Sequence, residues 1–140
     1  MSAFSGIRIV DFSQGLVGPM AVMLLADFEA EVIKVEPPEG DRAKDEPGYL
    51  MWNRNKTRTT LDLANDADKA RALDLIAAAD VAVFDHSPKT LEALGLTAEV
   101  LTAAHPRLIH LWVPPYGTSG DISELPAHHA TLTGLTGTAF

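Results

Sequence analysis

With 140 residues and 46% hydrophobic content, the chain is long enough to form one domain with a real core. Its formal net charge of −8 repels phosphate backbones and anionic membranes at long range, which argues against nucleic-acid and membrane partners and requires any bound anion to be met by a local cluster of cations. The absence of cysteine removes disulfides, thiolate metal sites and cysteine nucleophiles together, and suits a cytoplasmic location.

The chain starts "MSAFSGIRIVDFS", without a basic n-region or a long apolar h-region, and its longest apolar run, around "MAVMLLADF", is too short to cross a bilayer. The first strand is predicted over "IRIVDF" (7–12), and the turn "SQGLVGPM" (13–20) then leads into a helix from Pro19 to Phe28, with Met20, Met23, Leu24 and Phe28 at helical spacing. A second strand reads as "EVIKVE" (31–36). The segment "PPEGDRAKDEPGY" (37–49) is dense in Pro, Gly and charge and reads as a long functional loop. A third strand follows at "TRTTLDL" (57–63), and a helix from Asp66 to Ala79 presents Ala70, Leu73, Ile76 and Ala77 behind an Asn65 N-cap. The fourth strand is "VAVFDH" (81–86). A helix capped by the Thr97 hydroxyl stops before Pro106, and "RLIHLWV" (107–113) is the fifth strand. Strands alternating with helices, several of them with few polar interruptions, predict an α/β fold with a Rossmann-like parallel sheet flanked by helices. The whole chain, 1–140, is expected to be one such domain. There is no internal repeat, and the tail "AHHATLTGLTGTAF" lacks a charged or capped finish, so the chain is expected to stop before its fold does.

Three places carry candidate chemistry. In the first strand-to-helix turn, Gly15 and Gly18 permit tight backbone and Pro19 is preset for a first helical turn, so this is where helix amides would meet a phosphate. It lacks G-x-G-x-x-G, although Glu36 ends the second strand where a ribose-binding acid would stand. The stretch "MWNRNKTRTTLDL" (51–63) gathers Arg54, Lys56 and Arg58, which read equally as an anion cradle or as a solvated face. The pair His128 and His129 follows the turn-rich "GTSGDISELP" at the carboxyl-end edge of the sheet, where a histidine could act near neutrality. No His or carboxylate spacing predicts a metal site.

Taken together, "GIRIVDFSQGLVGPMAVMLLADFEAEVIKVEPPEGD", "NRNKTRTTLDL", "ADVAVFDHSPKTLEALGL" and "PRLIHLWVPPYGTSG" resemble the class III CoA-transferases, the CaiB/BaiF family that includes formyl-CoA transferase and α-methylacyl-CoA racemase. The resemblance runs in order from Gly6 to about Gly137 and covers only the family's N-terminal part. It implies a Rossmann-like CoA-binding portion, a downstream small domain, and two chains threaded as interlocked rings. CoA or acyl-CoA is then a substrate rather than a covalently held cofactor, carboxylic acids are the partners, and a homo-oligomer or a complementing chain completes the enzyme. The family's N-x-N-K segment, here ending in Asn55 and Lys56, lies by the CoA nucleotide, which makes Lys56, Arg58 and Arg42 candidate phosphate ligands. The family's catalytic aspartate falls downstream of these residues.

The resemblance has departures. The formyl-CoA transferase pattern has Gln where Leu16 stands, Asn-Phe at Asp85 and His86, and Arg at Ala93, while the family's "LGA" is Phe28, Glu29 and Ala30 here. Leu16 removes an amide that could touch the acyl group, and Asp85 adds negative charge near an anionic ligand. Three readings follow: a CoA-transferase portion whose aspartate lies elsewhere; a racemase-like isomerase in which His128, aligned by "AHH" to the family's "GHD", exchanges an α-proton; and a degenerate, non-catalytic domain kept for assembly.

Overall fold

The computed structural model describes residues 2–126 and 129–137. Five strands, β1 (Arg8–Asp11), β2 (Glu31–Glu36), β3 (Lys56–Thr60), β4 (Val81–Phe84) and β5 (Ile109–Trp112), form a wholly parallel sheet in the spatial order β3-β2-β1-β4-β5. The chain runs outward from β1 to β3, then returns to the other side of β1 for β4 and β5. A crevice therefore opens between the carboxyl ends of β1 and β4, where the winding direction reverses.

Side-chain alternation along the strands divides the core into two layers. Ile9, Val32 and Val83 face one side and meet Val22 and Ala26 of α1 (Val17–Asp27). Val10, Ala82 and Phe84 face the other, against Ala72 and Ile76 of α3 (Asp66–Ala77), Leu91 of α4 (Pro88–Leu94) and Leu101 of α5 (Ala98–Ala104). Phe12 stacks on Phe84 with ring centroids 5.0 Å apart, fixing the ends of β1 and β4 next to each other. Helices on both faces make this the expected doubly wound, Rossmann-like α/β sheet.

Local chemistry accounts for the helix boundaries. Asn65 Oδ1 accepts from the amides of Ala67 (3.0 Å) and Asp68 (3.2 Å), and Asp66 and Asp68 sit in the favourable first turn of α3. Thr97 does stand at the N-cap of α5, but its hydroxyl makes no capping hydrogen bond, which corrects that expectation. Three short helices lie outside the expected set. The first, α4, begins with Pro88 in its first turn and ends on Gly95 at φ 66°. The second, α2 (Tyr49–Trp52), closes the long loop, and the third, α6 (His129–Thr136), lies in the tail. Among the described residues no helix is long and apolar enough to cross a membrane.

Candidate functional site

The carboxyl-end crevice is a cleft of about 480 Å³. Its floor is the β1–α1 turn (Gln14 to Gly18), one side carries Arg42, Glu46 and Trp52, and the other carries Asp85, Val113, Pro114, Pro115 and Leu132. A groove of about 560 Å³ lies at the amino ends of the strands, among Ile9, Ala30, Val32, Leu75 and Ala78. It is the larger of the two, but it lies away from the turn and helix terminus where ligands of such sheets bind, so the carboxyl-end cleft is the better candidate.

Close packing shapes the turn. A Cβ on Gly18 would lie 2.3 Å from Ser13 Oγ, so only glycine lets α1 start this near the strand end. Gly15 has φ +77° and packs against Arg42, whose Nε would lie 2.9 Å from an added Cβ. Three carboxylates hold the backbone between them. Asp11 accepts from the amide of Ser13 (3.0 Å) and from its hydroxyl, Asp85 accepts from the amide of Gln14 (3.0 Å), and Asp41 accepts from the amide of Gly15 (2.9 Å). The amides of Leu16, Val17 and Gly18 have no acceptor among the described residues, and they stand at the positive end of the α1 dipole, beside the cleft.

Two buried lysines neutralise this acidic frame from below. Lys34 lies 2.9 Å from Asp41 Oδ2, with both side chains inaccessible, and donates to the Ser13 carbonyl. The Asp41 contact is an ion pair without hydrogen-bond geometry at that oxygen. Burial alone would raise the Asp41 carboxyl, but the Lys34 charge and the amides of Ala43 and Gly15 outweigh it and hold the group below the usual carboxylate range. Lys56 Nζ donates to Asp11 Oδ2 (2.9 Å), the Pro19 carbonyl (2.8 Å) and Asn53 (3.1 Å), again with both charged side chains inaccessible. Burial pulls the Lys56 amine down, against the opposing pull of Asp11.

At the cleft mouth, Arg42 donates through Nη2 to Asp85 and to the Gln14 carbonyl (2.8 Å), while its backbone amide donates to Gln14 Oε1 (3.2 Å). Burial pushes the Asp85 carboxyl up, although Arg42 and the Gln14 amide oppose the shift. Next to it, His86 has its ring pKa lowered by burial, and its Nδ1 has no partner among the described residues.

The candidate residues thus separate. Gly15, Leu16, Gly18, Arg42 and Asp85 come together around the cleft. Lys56 lies beneath the turn with its donors engaged, and Asn55 ties to Asp27 (2.8 Å) alongside Arg54, at the far end of α1. Arg58 is exposed on β3, donating to Tyr49 Oη (3.2 Å), which in turn donates to Glu36. The three cations of 54–58 therefore go to three separate carboxylate systems rather than to one cradle. His128 lies outside the described residues. Sequence reasoning missed the frame carboxylates Asp11 and Asp41 and the cleft walls Trp52, Val113, Pro114, Pro115 and Leu132. Only Lys34, a charge inside an otherwise strand-like "EVIKVE", hinted at a buried ion pair.

The probable fatty acyl-CoA transferase Rv3272 of Mycobacterium tuberculosis is 37% identical over 132 residues, which is 86% of this chain and 34% of that protein. The succinyl-CoA–L-malate CoA-transferase alpha subunit of Chloroflexus aurantiacus is 36% identical over 127 residues, 83% of this chain and 30% of its own length. A crystal structure of the hypothetical protein Rv3272 superposes with a TM-score of 0.90 at 34% identity, covering 99% of this chain and 41% of that one. The chain thus spans about a third of the length of the curated relatives it matches. The family model described as CoA-transferase family III matches residues 4–140, and the chain belongs to that family.

Proposed function

We propose that this chain is the CoA-binding portion of a class III CoA-transferase, which moves CoA between carboxylic acids through an aspartyl-CoA thioester formed on an aspartate outside residues 1–140. The carboxylate of that aspartate attacks the acyl-CoA carbonyl, the C–S bond breaks, and a mixed anhydride and CoA thiolate result. The thiolate then attacks the aspartyl carbonyl of the anhydride, releasing the first acid as its carboxylate and leaving the thioester. An incoming carboxylate reverses both steps and leaves with the CoA.

The contribution of this chain to that chemistry is to bind and orient. The observation that carries the reading is the cleft itself, where the Arg42 guanidinium and α1 amides that have no acceptor among the described residues meet apolar walls at the sheet's switch point. Such a site suits a ligand with oxyanions on a long apolar-polar arm. Lys56 serves it indirectly, by neutralising Asp11 beneath the turn.

Calorimetric titration of CoA into this chain tests the reading. Binding that weakens with salt is expected, and Arg42→Ala should weaken it about 10-fold to 100-fold, the loss of one charge-assisted hydrogen-bonding group. No CoA binding, or binding indifferent to Arg42, would sink it. The occupied state of Arg42 favours a different reading, a degenerate, non-catalytic domain kept for assembly. Turnover by this chain alone would exclude that.

A further inference from the structure

The cleft already holds an anion, and it belongs to the protein. Asp85 Oδ2 accepts from Arg42 Nη2 and from the Gln14 amide at 3.0 Å, so one carboxylate oxygen takes two of the donors that an incoming oxyanion would use. Its side chain is 8% exposed while that of Arg42 is 41% exposed, and both line the cleft, the carboxylate as the more enclosed partner. The Asp85 carboxylate forms an ion pair with neither buried lysine: Lys34 pairs with Asp41 and Lys56 with Asp11.

We propose that Asp85 is a resident counter-anion that occupies the oxyanion position formed by Arg42 and the Gln14 amide, and that a ligand phosphate or carboxylate binds by displacing it. The inference rests on the reading of this cleft as the substrate site, and names the residue that sets its affinity. Two anions cannot share one guanidinium at low cost, because like charges in a partly desolvated cleft repel. Asp85 therefore either turns away or takes up a proton when the ligand enters. Burial favours the proton, while Arg42, the Gln14 amide, His86 and Lys34, the groups that face the carboxyl, favour the charge.

The test compares the wild-type chain with Asp85→Asn, titrating CoA, inorganic pyrophosphate, acetate and the uncharged pantetheine. The variant keeps an oxygen for the Gln14 amide but frees the guanidinium charge. Expected is at least a tenfold gain for CoA and for pyrophosphate with pantetheine unchanged. A gain confined to acetate would place the acid substrate's carboxylate, rather than a phosphate, at the same position. A gain for pyrophosphate with CoA bound by neither protein would keep the resident anion and discard the CoA reading. Equal or weaker binding of every anion by the variant overturns the proposal. Should the variant fail to fold by circular dichroism, pyrophosphate is titrated into the wild-type chain and followed at the ¹⁵N–¹H signals of the Gln14 amide and Arg42 Nε. Movement of both supports displacement, and movement of neither overturns it.

Discussion

The residue-scale logic of this chain is that acids position the backbone and cations answer the acids. Asp41 is the clearest case, because its two oxygens serve different masters: Oδ1 accepts from the Gly15 (2.9 Å) and Ala43 (2.8 Å) amides, and Oδ2 faces Lys34. Asp41→Asn keeps an amide acceptor but leaves the Lys34 charge buried without its partner, which costs about 3–5 kcal/mol. The pH dependence has a definite sign. Since the folded-state pKa lies below the ordinary aspartate value of 3.8, the Asp41 contribution is complete above that value and is lost as pH falls through the lower folded-state pKa. Chemical denaturation should therefore separate wild type from Asp41→Asn widely at pH 6, with the gap narrowing below about pH 4. A gap that is constant across that range would show that the carboxylate charge is not what Asp41 supplies. The same view explains why Lys56, prominent in the sequence as part of a basic run, was ambiguous there: charge is visible in one dimension, but the Asp11 that absorbs it lies on another strand.

At the scale of elements, the sheet and its main helices were legible because each has its own period. The five strand runs and the helices at α1 and α3 were all readable, and Asn65 marked its helix by a side chain that acts on adjacent residues. Elements that form only through contacts with distant parts of the chain were not. The helix α2 lies in a Pro- and Gly-rich loop, and the Tyr49 hydroxyl that donates to Glu36 of β2 ties it to the sheet, while the ring of Trp52 packs locally over Gly48. Of the cleft, the turn glycines, Arg42 and Asp85 were legible, whereas the walls came from Trp52 of α2, the residues 113–115 that follow β5, and Leu132 of α6, which tertiary packing brings together. Gly48 offers a test at this scale. A Cβ there would lie 1.9 Å from the Trp52 ring, which is too stiff to yield at its tip. Gly48→Ala should cost about 1–3 kcal/mol, as overpacking does, and should alter the near-ultraviolet circular dichroism as Trp52 leaves the cleft wall. Unchanged stability and spectrum would mean that α2 does not hold that wall.

For the whole molecule, two forces on association point in opposite directions, and their salt dependence separates them. The net charge of −8 drives copies apart. Against it, α1 exposes Val17 (64% exposed) and Leu24, with Phe28 at its C-cap, and α2, packed beside it, exposes Leu50 (71%) and Met51. Positions 17 and 24 share one face of α1 and Phe28 follows at its end, and a contiguous exposed apolar patch of this kind is the usual mark of an interaction surface. Repulsion between exposed charges is screened beyond about 10 Å at 0.1 M salt, while apolar burial is not weakened by the same ions. The chain should therefore sediment as a dimer or larger species whose population rises with protein concentration and with salt. The variant Leu24→Glu/Leu50→Glu should shift it to monomer with its far-ultraviolet circular dichroism intact. A strictly monomeric profile at every salt concentration would show that the patch is not a self-association surface, and association that weakens with salt would assign it to charge pairs instead.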